Sequence, residues 1–345
     1  MTLSDYIRDM PKAELHVHLE GATRPETLLK LAQRHKIDLP ADDVAGVREW
    51  YTFRDFPHFV EVYIKISECI QTPDDIELIA REFLQGQAAQ NIRYTEITYT
   101  ALTHFVQKGI PFDEQLDALN TARAWAQATL GVDMQYIIDI PRNLADHDQS
   151  MRSAEWAVSG MGRGVIALGL GGYEVGNPPE RFTDAFAYAR EHGLASIPHA
   201  GEHDGPPSVW GALRELGAAR IGHGVQSLKD PALVDHLVTT QIPLEVCPTS
   251  NICLGEVDAM ANHPIQQLLD AGCYVTLNSD DPPMFNTTLT NEYVQAAAAF
   301  GWDAAIIDRI VLAGVQAAML PDDAKAALYQ TFEAQLEALR EQYIV

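Results

Sequence analysis

The chain predicts an α/β fold, a (β/α)₈ barrel with a helical insertion after the first strand and further helices at the C-terminus, on three observations. Eight short apolar, β-rich runs alternate with amphipathic helical stretches. The runs are apolar on both faces, as strands of a parallel sheet covered by helices must be. Polar, chemistry-bearing residues gather at the C-terminal ends of those runs, the face on which such barrels build their active sites. An open doubly wound sheet is the structural alternative.

The predicted strands, in order, are residues 13–18 (AELHVH), 92–99 (IRYTEITY), 134–140 (MQYIIDI), 164–172 (GVIALGLGG), 194–202 (LASIPHAGE), 220–225 (RIGHGV), 242–248 (IPLEVCP) and 273–281 (CYVTLNSDD). Between them, helical patterns cover 73–91, 113–131, 153–162, 179–193, 208–217, 230–241 and 263–272. Several open on Asp or Ser and close on Gly, the residues that cap helices. Residues 23–92 are too many for one crossover and read as an inserted helical cap, with helices over 25–35 and 56–70 and with Phe53, Phe56 and Phe59 as candidate pocket residues. Residues 290–343, rich in Ala and Leu, predict a wholly helical end. No Pro/Gly/Ser-rich linker, low-complexity tract or fixed-period repeat interrupts the chain, so residues 1–345 read as a single domain.

Composition narrows the function. Hydrophobic residues make up 47% and charged residues 21%, ordinary values for a globular chain with a sizeable core. Lys and Arg number 24 against 48 Asp and Glu, a formal charge of −24, and a field of that sign repels phosphate backbones and anionic lipid. No nucleic-acid or membrane partner is expected. The start MTLSDYIRDM lacks the basic flank and long apolar stretch of a secretory signal, and no uncharged run approaches a membrane span. The expectation is a soluble, cytoplasmic protein; oligomeric state is not legible. Cys69, Cys247, Cys253 and Cys273 are widely spaced without a C-x-x-C and read as buried, reduced thiols.

Position along the strands singles out a few polar residues. His16 and His18 close the first strand, His199 and Glu202 the fifth, His223 the sixth, and Asp280 with Asp281 the eighth. Strand side chains alternate, so His16 and His18 share a face. His-x-His alone is usually an ordinary strand pair. Three histidines with Asp280 and a water, however, make a donor set that suits a catalytic zinc. The other eight histidines, His35, His58, His104, His147, His192, His203, His236 and His263, fall in helices or loops and read as surface or capping residues. Strand four has no lysine to bridge two metals, so one metal is expected; instead it ends in Gly171 and Gly172, whose backbone N–H groups a ligand could approach. Beside a metal-activated water and away from solvent, Glu202 could have a raised pKa and act as a proton donor, the alternative being a helix N-cap or a solvent-facing loop acid.

The motifs PKAELHVHLEG, PHAGE, RIGHG and NSDDPPMF, in that order, closely resemble the adenosine deaminase family of the amidohydrolase superfamily, over nearly the whole chain. The resemblance implies a (β/α)₈ barrel holding one Zn²⁺ on His16, His18, His199 and Asp280. It also implies that Glu202 protonates purine N1, that His223 orients and helps deprotonate a metal-activated water, that Asp281 bonds N7 and that the Gly172 N–H bonds N3. The implied reaction is hydrolytic deamination of a 6-aminopurine nucleoside, adenosine to inosine and ammonia by default, with Glu202, His223 and Asp280 catalytic. Adenine and aminodeoxyfutalosine are the alternative substrates, and a catalytically silent purine-binding protein is the rival of a different class. The H-x-E…P-C-x-x-C plan of the cytidine-type deaminases is absent. Two features depart from members acting on adenosine. Glu20, expected near the sugar hydroxyls as a substrate-binding residue, stands where those members have Asp. The stretch YTEITYTALTH lacks the arginine of their E-V-R-Y form and looks more like members acting on aminodeoxyfutalosine.

Overall fold

The computed structural model describes residues 2–53 and 56–343; the side chain of Phe56, one of the three candidate cap phenylalanines, lies outside the described residues. All eight expected strands form: β1 (Lys12–His18), β2 (Ile92–Tyr99), β3 (Asp133–Pro141), β4 (Val165–Gly171), β5 (Ala195–Ala200), β6 (Ile221–His223), β7 (Leu244–Val246) and β8 (Val275–Leu277). They pair in parallel in sequence order. Between β8 and β1 the ring closes through the ends of the strands. Val17 bridges Asp280, the His18 N–H donates to the Asp280 carbonyl at 2.9 Å, and the Asp280 N–H donates to the His16 carbonyl at 3.1 Å. The Asn278 side-chain oxygen accepts from the N–H groups of Leu15 and His16. The alternating helices and parallel register make this a (β/α)₈ barrel.

Strands β6 and β8 are shorter than expected. His223, the last residue of β6, and Asp280, three residues past the end of β8, have φ of 62° and 65°, where extended backbone does not continue. Non-glycine residues held in that region are uncommon and gather where a site dictates their aim.

Helix ends follow the capping rules. The crossover helix Pro73–Ala89 opens on a box in which Thr72 accepts from the Asp75 N–H and Asp75 from the Thr72 N–H, and Asp146 with Gln149 does the same for His147–Ser159. The inserted cap comprises Pro25–His35, Val44–Trp50 and Phe56–Cys69. The C-terminal end is helical, as three helices, Leu289–Phe300, Ala304–Ala317 and Asp322–Tyr343. Gly301 caps the first in a left-handed conformation, and Pro321, which cannot donate a helical hydrogen bond, precedes the third.

Apolar faces of strands and helices meet around the barrel, burying Val17, Ile97, Ile138 and Leu168 on one side and Leu15, Ile221, Leu244 and Val275 on the other. Each such side chain contributes about 1.5–3 kcal/mol. Inside the ring Ile137, Ala167 and Ile197 form a small plug, leaving the C-terminal end of the interior to polar groups. Among the described residues, no helix is long and apolar enough to cross a membrane.

Candidate active site

His16, His18, His199, Glu202, His223, Asp280 and Asp281 all come together, buried, at the C-terminal mouth. Six of them line a cavity of about 300 Å³, and the His16 ring packs against those of His199 and His223; the cap helix Phe56–Cys69 adds Phe59, Val60, Tyr63 and Ile64 to the wall. Of the two cap phenylalanines with described side chains, Phe59 lines the cavity and Phe53 packs behind it.

The spacing of donor atoms is that of a metal site. His18 Nε2 lies 3.1 Å from His199 Nε2, and Asp280 Oδ1 is 3.4 Å from the Nε2 atoms of both His16 and His18. Tetrahedral ligands with bonds of about 2.0–2.2 Å stand about 3.3 Å apart. His16 Nε2 is buried without a hydrogen-bond partner, and two facing imidazole nitrogens without a proton or cation between them repel. Three imidazoles and a carboxylate therefore fit a metal ion. An alternative grouping, with all ligand atoms within 4.8 Å of one another, replaces His18 by His223. His223 Nε2 stands 4.0 Å from Asp280 Oδ2, wider than a tetrahedral edge.

Burial pushes the pKa of His18 down to about 4 and that of His199 well below the ordinary histidine value, leaving both rings neutral and able to ligate. Burial also opposes charge on His16, but the carboxylates of Asp280 and Glu245 outweigh it and raise the ring to about 10, so a metal cation at Nε2 takes the place of a proton there.

Glu245 was not singled out in the sequence. Its Oε2 lies 2.9 Å from His16 Nδ1, so that nitrogen carries the proton and Nε2 faces the cluster. Glu245 is tied in turn to the fully buried Arg220, which also pairs with Glu96 and donates to the Ala317 carbonyl at 2.8 Å. Glu245→Gln should weaken metal binding about 10–100-fold, read by competition with a chelator. Unchanged affinity would show that His16 is oriented by other contacts.

Two residues of CPTSN aim the opposite wall. Ser250 donates to Asp280 Oδ2 at 2.7 Å. The Ile265 N–H donates to His263 Nδ1, so His263 Nε2–H donates to Asn251 Oδ1 and the Asn251 amide faces His223 Nδ1 at 3.4 Å. This relay makes His223 Nδ1 the acceptor and turns an Nε2–H toward the site, with Glu202 3.6 Å away. His263, like His104 and His58, is buried rather than superficial, because each ring packs in the interior around polar partners or aromatic rings.

Glu202 sits on a loop fixed by Glu174. That fully buried carboxylate accepts from the N–H groups of Gly201, Glu202, His203 and Asp204 and from the Ser208 hydroxyl, at 2.7–2.9 Å. The expectation of a raised Glu202 pKa is not met. Burial does push the carboxyl up, but the imidazoles of His223 and His203 outweigh it and hold it below the usual carboxylate range. His203 Nδ1 lies 3.1 Å from Glu202, and its ring is raised to about 9, burial being outweighed by that carboxylate. The proton is carried by the pair rather than by Glu202 alone. Asp281 behaves oppositely: burial and then the neighbouring Asp280 charge raise it well above the ordinary value, so it is a neutral acid that can donate. Gly21 makes room for it, since a Cβ there would stand 1.6 Å from Asp281 Oδ1. Gly172 lines the cavity with φ of 90°, a left-handed conformation that glycine alone adopts readily.

Glu20 departs from its expected place. It is fully buried and is not among the lining residues. Its Oε1 accepts from the Thr100 N–H at 3.1 Å and pairs with His104 at 3.0 Å, and its Oε2 accepts from the Tyr63 hydroxyl at 3.3 Å. The extra methylene carries the carboxylate into the wall, where it orients Tyr63 and Thr100, which do line the cavity.

Comparison with known proteins agrees with this geometry. The adenosine deaminase family model matches residues 11–335. The aminodeoxyfutalosine deaminase of Streptomyces coelicolor is 40% identical over 328 residues, 94% of this chain and 84% of that protein. The crystal structure of an adenine deaminase from Arthrobacter aurescens superposes with a TM-score of 0.90 at 31% identity, covering 95% of this chain and 99% of that one. An amidohydrolase from Burkholderia ambifaria, solved with bound Zn, superposes with a TM-score of 0.91 at 26% identity over 99% of this chain and 95% of its own.

Proposed function

We propose, from the premise that this chain belongs to the adenosine deaminase family, that it is a zinc-dependent hydrolytic deaminase of a 6-aminopurine, with aminodeoxyfutalosine as the first candidate substrate. As a member of that family it is a hydrolase of C–N bonds. The observation that carries the proposal is the convergence, on one cavity, of a buried histidine–aspartate donor set with Glu202 and Asp281. The purine substrate is a small molecule, and adenosine gives way to the alternatives because the relatives reported above are named for aminodeoxyfutalosine and adenine.

Zinc would be held by His16, His18, His199 and Asp280, and when bound it supplies the Lewis acidity that makes a water nucleophilic at neutral pH. The residues of the chain do the rest. The Asp281 carboxyl donates to N7 and the Gly172 N–H to N3, holding the ring with its amine-bearing carbon toward the cluster. The proton held by the Glu202–His203 pair passes through Glu202 to N1, which makes that carbon electrophilic. His223 Nε2–H orients the incoming water oxygen; in the tautomer set by Asn251 it donates rather than accepts. Asp280 takes the proton released as the C–O bond forms and passes it to the amine. The C–N bond then breaks, ammonia leaves, and the remaining hydroxyl proton returns to Glu202 as the 6-oxo product forms.

Two observations bear on the substrate. The outer wall of Phe59, Val60, Ile64, Leu144 and Leu254 offers apolar surface beyond the polar groups that would hold the base, which suits a purine bearing a large substituent. Adenine is the second reading, favoured by Glu20, whose oxygens are engaged by Thr100, His104 and Tyr63 rather than free for sugar hydroxyls. The deciding experiment is kcat/KM for adenosine, deoxyadenosine, adenine and aminodeoxyfutalosine, because that ratio reports discrimination in the transition state. Aminodeoxyfutalosine should exceed adenosine by at least about 10-fold, the worth of burying about two methylene groups against that outer wall. Preference for adenosine would overturn the substrate assignment.

A further inference from the structure

Asp139 is a cavity residue that neither the zinc set nor the proton transfers above use. It lies on the inner face of β3, one step above the plug residue Ile137, and is 3% exposed. Its Oδ1 is buried without a hydrogen-bond partner, and Oδ2 has only a long contact, 3.5 Å, with the Thr100 hydroxyl. A carboxyl in the wall of a cavity with an unmatched oxygen is costly unless a ligand supplies the missing donor.

The neighbouring strand is shaped around this group. Asp139 pairs in register with Gly169, and Pro141 with Gly171. A Cβ at Gly169 would stand 3.2 Å from Oδ1 and one at Gly171 2.8 Å from Oδ2, so the two glycines leave the space in which the carboxyl lies. In a ring of eight strands β3 stands opposite β7, across the cavity from the cluster supplied by β1, β5, β6 and β8. A purine with its amine-bearing carbon at that cluster turns its N3/N9 edge toward β3 and β4.

We propose that Asp139 reads the substrate at that edge, its carboxyl oxygen accepting a hydrogen bond from a donor carried at N9. This rests on the deaminase reading above and deepens it. The donor is either the ring N9–H of a free base or a hydroxyl of the sugar attached there. Asp139 is thus a specificity residue: it bonds the substrate without taking part in the transfer of protons to N1 or the amine.

The test pairs two variants with two sets of substrates. Asp139→Ala removes the acceptor, and Asp139→Asn keeps an oxygen in the same place. Adenine against 9-methyladenine probes the ring N–H; adenosine against its 2′-deoxy and 3′-deoxy forms probes the sugar hydroxyls. The parent protein should prefer the donor-bearing member of one set by about 10–100-fold in kcat/KM. Asp139→Ala should erase that preference through KM with bound zinc unchanged, and Asp139→Asn should restore most of it. A loss of equal size on every compound would mean a structural role, and no discrimination by the parent in either set would likewise overturn the inference. If the parent deaminates nothing, the deaminase reading falls separately. The affinities of hypoxanthine, 9-methylhypoxanthine, inosine and its deoxy forms, measured by calorimetry on parent and variants, then make the same comparison, and equal effects across them would overturn the role of Asp139.

Discussion

Glu202→Gln should lower kcat by about 10²–10⁴-fold, the usual worth of a positioned general acid, while leaving the zinc content of the protein unchanged. The amide keeps the size of the side chain and the loop it sits on, because Glu174 holds that loop through backbone N–H groups rather than through the Glu202 carboxyl. What it removes is the proton for N1. The pH profile of the parent gives a second readout. Glu202 is held low and His203 raised to about 9, so the pair carries one proton through neutrality and loses it as pH rises past about 9. The parent kcat should therefore fall on that alkaline limb. A Gln variant with parental turnover would remove Glu202 from the reaction.

His16→Ala should abolish stoichiometric zinc and cut turnover by about 10³-fold or more, since the several kcal/mol of Lewis-acid stabilisation are lost with the ion. The same experiment on His18 and His223 separates the two donor groupings. With His18 as a ligand, His18→Ala loses zinc and His223→Ala keeps it while losing rate; the reverse result would put His223 in the coordination sphere. His16→Ala also leaves Glu245 without its imidazole partner, so melting temperature is measured alongside, with Glu245→Gln as the comparison.

Much of the fold is written in local pattern. Each strand is apolar on both faces and each helix carries caps that a reader can see, so all eight strands are placed, as is the cap between β1 and β2. The residues at the strand ends are legible for the same reason: a histidine or carboxylate closing an apolar run has to face the mouth. The left-handed backbones of His223 and Asp280 are not, because neither position carries the glycine that ordinarily marks such a conformation.

The supporting groups are hidden more deeply. Glu96, Arg220 and Glu245 are far apart in sequence and meet only once β2, β6 and β7 lie in one barrel. Glu174 finds its five donors only when β4 and β5 are side by side. A signal was nonetheless present, in charged residues standing inside otherwise apolar strands: Glu96 in YTEITY, Asp139 in IIDIP and Glu245 in PLEVC. A charge there is expensive to bury unless something pairs with it, which marks each for a role beyond packing. Glu20 shows the limit of carrying a family's residue over to a longer side chain. The family resemblance implies a substrate contact at this position, whereas the longer side chain reaches Tyr63, Thr100 and His104.

The most direct test of the central claim is ammonia release by the parent protein from the 6-aminopurine panel, measured with zinc restored at one equivalent per chain and again after chelation. The account predicts one ammonia per 6-oxopurine formed from aminodeoxyfutalosine or adenine with zinc present, and none after chelation. Silence of the zinc-loaded protein on every compound, or equal release by the chelated protein, would contradict it.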